Sequence, residues 1–132
     1  MKLINFFNKL MKENPKSIKI DNIEYVPKTE YTPAETMDGL KYVIVRTYSA
    51  GVFAGYLESR NGQEVVLKNA RRLWYWSGAA SLSQLSEDGV NDISNCKFPQ
   101  EVNRVELLQA IEILDCSEEA RLNIKSVPIW KM

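Results

Sequence analysis

The chain has 132 residues, 45% of them hydrophobic and 26% charged, which describes one ordinary globular domain carrying an appended arm. Its formal net charge is zero, so it is no general polyanion binder, and its core needs no disulfide framework. It has no histidine, which removes the commonest general base, metal ligand and pH switch.

The N-terminal "MKLINFFNKLMKENPKS" repeats Leu3, Ile4, Phe7, Leu10 and Met11 at helical spacing, and Asn14-Pro15 stops the pattern. Such a short amphipathic helix can dock on its own domain, on a neighbouring subunit or on a lipid surface. It lacks the uninterrupted apolar run of a secretion signal, and no stretch approaches membrane-spanning length. A soluble intracellular protein without a membrane partner is expected. "SIKIDNIEYVPK" reads as a hairpin turning at Asp21-Asn22, and "KTEYTPAETMDG" as a linker. Residues 1–39 therefore form the arm and residues 40–132 the domain.

The domain opens on "LKYVIVRTYS", dominated by β-branched and aromatic residues, the chemistry of a strand. "SAG" turns the chain and "VFAGYLESR" returns it. Asn61-Gly62 is a hairpin signal in which both residues take positive φ. "QEVVLKNA" is a third strand and "RRLWYW" a fourth, giving a four-stranded antiparallel meander. In "SGAASLSQLSEDGV", Ser77 or Ser81 caps a short helix that buries Leu82 and Leu85 and ends at Gly89. "NDISNCKFPQEVN" is mostly loop. "RVELLQAIEIL" fits a helix or a strand; its β-branched content favours a strand with a bulge near Leu108-Gln109. "SEEARLNI" starts a helix at Ser117, with Glu118 and Glu119 in the first turn, and "VPIWKM" is an edge strand or a tail. The sum is an α+β fold: a small twisted antiparallel sheet or partial barrel, two or three short helices, and an N-terminal helix and hairpin arm.

Charge is segregated along the chain. Lys41, Arg46, Arg60, Lys68, Arg71 and Arg72 crowd the front of the domain, and acidic residues dominate from Leu85 to Ala120. The fold either makes a two-toned surface or intermixes the charges. Cys96 and Cys116 form no C-x-x-C pair, which gives a thiolate metal site no support and suits a reducing compartment. Glu87-Asp88, and Asp115 with Glu118 and Glu119, lack the spacing of a calcium loop. Ser49, Ser77 and Ser81 have no histidine to activate them. No metal, cofactor or catalytic residue is expected, and the chain reads as non-enzymatic.

Two motifs carry the binding chemistry. In "VRTYSAGVFAGYL", Arg46 and Tyr48 share one strand face, while Gly51 and Gly55 permit close approach of a ligand or another backbone. The plain alternative is a glycine-assisted turn with packed aromatics. In "ARRLWYW", strand alternation puts Trp74 and Trp76 on one face with Arg72, and Leu73 and Tyr75 on the other with Arg71. The indoles are either a stacking platform for a base or part of a core or subunit interface. The candidate ligand set is Arg46, Tyr48, Gly51, Arg71, Arg72, Trp74 and Trp76.

"LKYVIVRTYSAGVFAGYLESRNG", "ARRLWYWSGAASLSQL" and "EEARLNIKSVPIW" resemble a family of small tailed-phage proteins, a domain of unknown function, over Leu40 to Lys131. "IDNIEYVPK" is similar to short hairpins ahead of various phage domains. The resemblance implies a setting, the host cytoplasm during infection or the virion, and no catalytic residue or cofactor. The first function expected is capture of a nucleotide-like or other small anionic ligand, as a counter-defence sponge with sites between the subunits of a homo-oligomer. The second is a virion accessory subunit or an inhibitor of a host protein, making contact through the arm or the aromatic strand. There is no strong nucleic-acid signal.

Overall fold

β-Branched runs separated by glycine turns build the sheet that organises this chain. The computed structural model describes residues 18–20, 23–25 and 30–132. The amphipathic helix expected over residues 3–11 lies outside them. The chain divides into two units, Met1–Glu30 and Tyr31–Met132. In the first, β1 (Ile18–Ile20) and β2 (Ile23–Tyr25) pair antiparallel, Ile18 opposite Tyr25 and Ile20 opposite Ile23, as the hairpin reading required.

The second unit is α+β. β3 (Tyr42–Thr47), β4 (Val52–Asn61), β5 (Glu64–Arg72), β6 (Val102–Leu107) and β7 (Ala110–Asp115) form one antiparallel sheet in the order β6-β5-β4-β3-β7. Helices α1 (Leu82–Asp88) and α2 (Glu118–Ser126) pack with one face of it. That helix-side core joins Tyr42, Ile44, Ala54 and Tyr56 of the sheet to Leu85, Ala120 and Ile124 of the helices. The opposite face buries Val43, Val45, Phe53, Val65, Leu67 and Leu107 against one another.

The two edges of the sheet are joined by a short corner. β6 and β7 lie at opposite edges, yet only Leu108 and Gln109 separate them. The Ala110 N–H donates to the carbonyl of Gln63, at the β4–β5 turn, at 2.9 Å. The two edges therefore approach each other at this end, while the five-stranded sheet stays open because β6 and β7 do not pair. The bulge expected near Leu108-Gln109 is instead a corner that carries the chain from one edge to the other.

Three further expectations change, and one open choice is resolved. "RRLWYW" is not a strand. Arg71 and Arg72 end β5, and the Leu73 N–H donates to Val52 O at the first residue of β4. Beyond that point β4 offers no partner, so only an isolated bridge between Tyr75 and Lys97 forms. The meander therefore has three strands. The second hairpin turns on Gly62-Gln63: Asn61 pairs with Glu64, and Gly62 has φ +61°. Positive φ is needed only at the first central residue, the pattern of a II′ turn. Residues 31–39, read as a linker, belong to the second unit, where Ala34 N–H and the Tyr31 hydroxyl both donate to Cys116 O. Ser81, rather than Ser77, caps α1 by accepting from Gln84 N–H, while Gly89 ends it as expected.

Candidate functional site

Thr47 builds the β3–β4 turn. Its hydroxyl donates to Gly51 O at 2.7 Å and accepts from Ala50 N–H at 2.9 Å. Gly51 has φ +99°, a conformation that favours glycine. Tyr48 N–H donates to Gln109 O, which ties this turn to the β6–β7 corner. The Tyr48 ring points into solvent, 77% exposed, and Leu108 of the corner is exposed as well. Gly55 has a different role. A Cβ there would lie 3.0 Å from backbone atoms of Ala70 and Lys68, so what approaches this glycine is β5.

The structure separates the seven candidates. Arg46 pairs with Val52 and Arg72 with Phe53 across β4, and these consecutive positions face opposite sides of the sheet. Arg46 donates to Glu112 at 3.0 Å. Arg72 lies over the Phe53 ring, 4.3 Å from its centroid, and donates to Ala50 O of the turn. It therefore braces Gly51 and does not stand beside Trp74 and Trp76.

Arg71 is a structural residue. Only 5% exposed, it donates to the carbonyls of Phe98, Pro99, Ile124 and Val127 at 2.7 to 3.1 Å. Burial lowers its pKa, but a guanidinium stays charged at any physiological pH. Among the described residues no carboxylate is bonded to it; the negative end of α2 takes that place.

The aromatic run breaks up in the same way. Leu73 is buried and Trp76 packs against the helix-side core, while Trp74 is 63% and Tyr75 51% exposed. The two indoles thus share no strand face. Tyr75 joins a group that its local sequence did not announce. Tyr75 and Lys97 exchange backbone hydrogen bonds, and Trp130 N–H donates to Phe98 O. The Lys97 ammonium lies 5.8 Å from the Tyr75 ring and 5.7 Å from the Trp130 ring. Two aromatic rings therefore flank one cation, and Trp74 and Ile129, next to them in sequence, are exposed as well. The tail "VPIWKM" displayed Trp130, but its meeting with residues 75 and 97 depends on the fold.

Front-half cations meet back-half anions across β3 and β7. Lys41 pairs with Asp115 at 3.0 Å and Arg46 with Glu112 at 3.0 Å. Of the two charge arrangements, intermixing is the one observed at these strands. Glu118 is held down at about 2 by Arg121 and by the Glu35 N–H. Burial pushes the Cys116 thiol up to about 12. Among the described residues no acidic, histidine or cysteine cluster is placed to hold a metal, and no helix is long and apolar enough to cross a membrane.

Two clefts adjoin along β7. One, of 690 Å³, is lined by residues that include Lys41, Leu57, Arg60, Ser86, Glu87 and Ile113. The second, of 600 Å³, runs from Arg60 and Gln63 to Ile111, Glu112 and Ile113. None of the seven candidate residues lines either cleft.

Residues 40–124 match a domain of unknown function, DUF6948. This chain belongs to the DUF6948 family. The DUF6948 segment starts just before β3 and ends inside α2, so it holds the sheet, both motifs and Lys97. Ile129 and Trp130, which complete the aromatic surface, fall beyond it. No curated protein and no solved structure matches the chain.

Proposed function

We propose that this DUF6948 protein is a non-enzymatic interaction module that binds another protein through the surface formed by Trp74, Tyr75, Lys97, Ile129 and Trp130. One observation carries the reading: large aromatic side chains stand exposed around a cation that they already contact. Trp and Tyr release the most energy when an interface covers them, and they dominate hot spots. The competing small-ligand reading loses support because Arg71 spends its donors on four main-chain carbonyls and Arg72 lies over Phe53, bonded to Ala50 O. In keeping with the phage resemblance, we place the interaction in an infected cell or on a virion.

The test compares partners cross-linked in cells by the wild type and by the Tyr75→Ala/Trp130→Ala double variant. Loss of the partners with an unchanged melting temperature is expected; an identical partner set rejects the proposal. Mass spectrometry of purified virions decides between the two settings.

A second reading rests on Lys97 alone. An ammonium between two rings also suits an anionic ligand with a planar base. Melting scans with cyclic nucleotides and ADP-ribose derivatives address it. A shift of several degrees that Lys97→Ala abolishes favours the ligand; no shift at saturation removes it.

A further inference from the structure

We propose that the open edge of β7 accepts an extended peptide segment of a partner protein as a sixth strand of the sheet. The site shares no residue with the aromatic surface and stands independently of it.

Backbone parity sets the chemistry of the occupant. Cys116 N–H donates to Tyr42 O, and Ile44–Leu114 and Arg46–Glu112 follow at two-residue steps on the same ladder. Hydrogen-bonded and non-bonded pairs alternate in an antiparallel ladder. The main-chain groups of Ile113 and Asp115 therefore point away from β3, to the side where no strand pairs with β7 among the described residues. Ala110 N–H also points there, and Gln63 O takes it. The docking stretch is thus Ile111 to Asp115, closed at one end by the β4–β5 turn. Unpaired N–H and C=O groups at strand spacing are matched by another extended backbone and by little else.

The two clefts give that backbone room. They share Arg60 and Ile113 and so form one trough along the edge. Ile111, Ile113 and Leu57 offer it apolar surface. Arg60 bonds only to Gly62 O and has no carboxylate partner among the described residues, whereas Lys41 is matched by Asp115. The expected segment therefore places an apolar side chain at every second position and an acidic residue opposite Arg60. The other edge is defended: β6 presents Arg104 and Glu106, paired with each other, and Arg104 also reaches Glu58.

The experiment selects a displayed library of unstructured twelve-residue peptides on the full chain, then follows amide exchange with the best synthetic peptide. Enriched sequences should alternate apolar residues and carry an acid. Bound peptide should slow exchange at Ile113 and Asp115 at least tenfold. Arg60→Glu should weaken binding tenfold or more, Ile113→Pro should abolish it, and Trp130→Ala should leave it unchanged. If the proline variant does not fold, Arg60→Glu and the exchange pattern still decide. No enrichment, a helical spacing, or binding without protection at residues 113 and 115 overturns the proposal. So does concentration-dependent protection without peptide, which would make a second copy the occupant.

Discussion

Arg71 illustrates how one residue changes meaning between sequence and fold. Beside Arg72 and the aromatic run it suggested an anion site, but its carbonyl partners lie 27 to 56 residues further along the chain. No local pattern reveals contacts at that separation. Removing the guanidinium takes a charged donor from four carbonyls, of which Phe98 O and Ile124 O keep a backbone N–H, so Arg71→Ala should cost on the order of 3–5 kcal/mol. Arg71→Lys should recover only part of this, because one ammonium cannot reproduce the planar fork. Urea unfolding of both variants checks the order; equal stability of wild type and Arg71→Ala would make the four bonds irrelevant. Cys116 gives a second test at this scale. With its thiol pushed up to about 12 by burial and the nearby Asp115 and Glu87, hardly any thiolate exists at neutral pH. It should resist iodoacetamide in the native state and react on unfolding. Rapid native alkylation would show that the site opens.

At the level of elements, capping was the most legible feature. Ser117 accepts from Ala120 N–H at the start of α2, and Ser81 does the same for α1, because a serine before an apolar periodic run supplies the missing acceptor. Strands were legible where a partner exists. "RRLWYW" has strand composition throughout, yet ladder length is set by the neighbouring strand, and β4 begins at Val52. α2 also yields a pH prediction. Glu118 bonds to Arg121 at 2.7 Å and accepts from Glu35 N–H at 2.8 Å, and its pKa falls from 4.5 to about 2. A carboxylate with a depressed native pKa adds stability above its unfolded value, and that share disappears as pH falls through the native value. Glu118→Gln should therefore be less stable than the wild type above pH 4.5, and the gap should close toward pH 2. Melting curves across that range test it. A gap that stays constant with pH would mean the charge plays no part.

For the whole molecule, composition and strand runs implied an α+β fold on a twisted antiparallel sheet or partial barrel, but the order β6-β5-β4-β3-β7 could not be read in advance. It depends on one short corner crossing from edge to edge, and Leu108-Gln109 looks locally like any strand irregularity. The same order determines which segments outside the DUF6948 span belong to the fold. Thr32 O accepts from Glu118 N–H, and Glu35 N–H and Ala34 N–H bond to Glu118 and Cys116. At the other end Val127 is buried and its carbonyl takes Arg71, and Trp130 N–H reaches Phe98 O. A chain of residues 40–124 loses all of these, while one of residues 31–132 keeps them. Burying a valine side chain contributes about 1.5–3 kcal/mol, and each bond to a charged donor a further 1.5–3 or so. The shorter chain should thus be less stable than the longer by at least about 3 kcal/mol, a large part of a small domain's total. Side-by-side urea titrations measure the difference. Equal midpoints would place the whole folding unit inside the DUF6948 span and reduce the flanking segments to passengers.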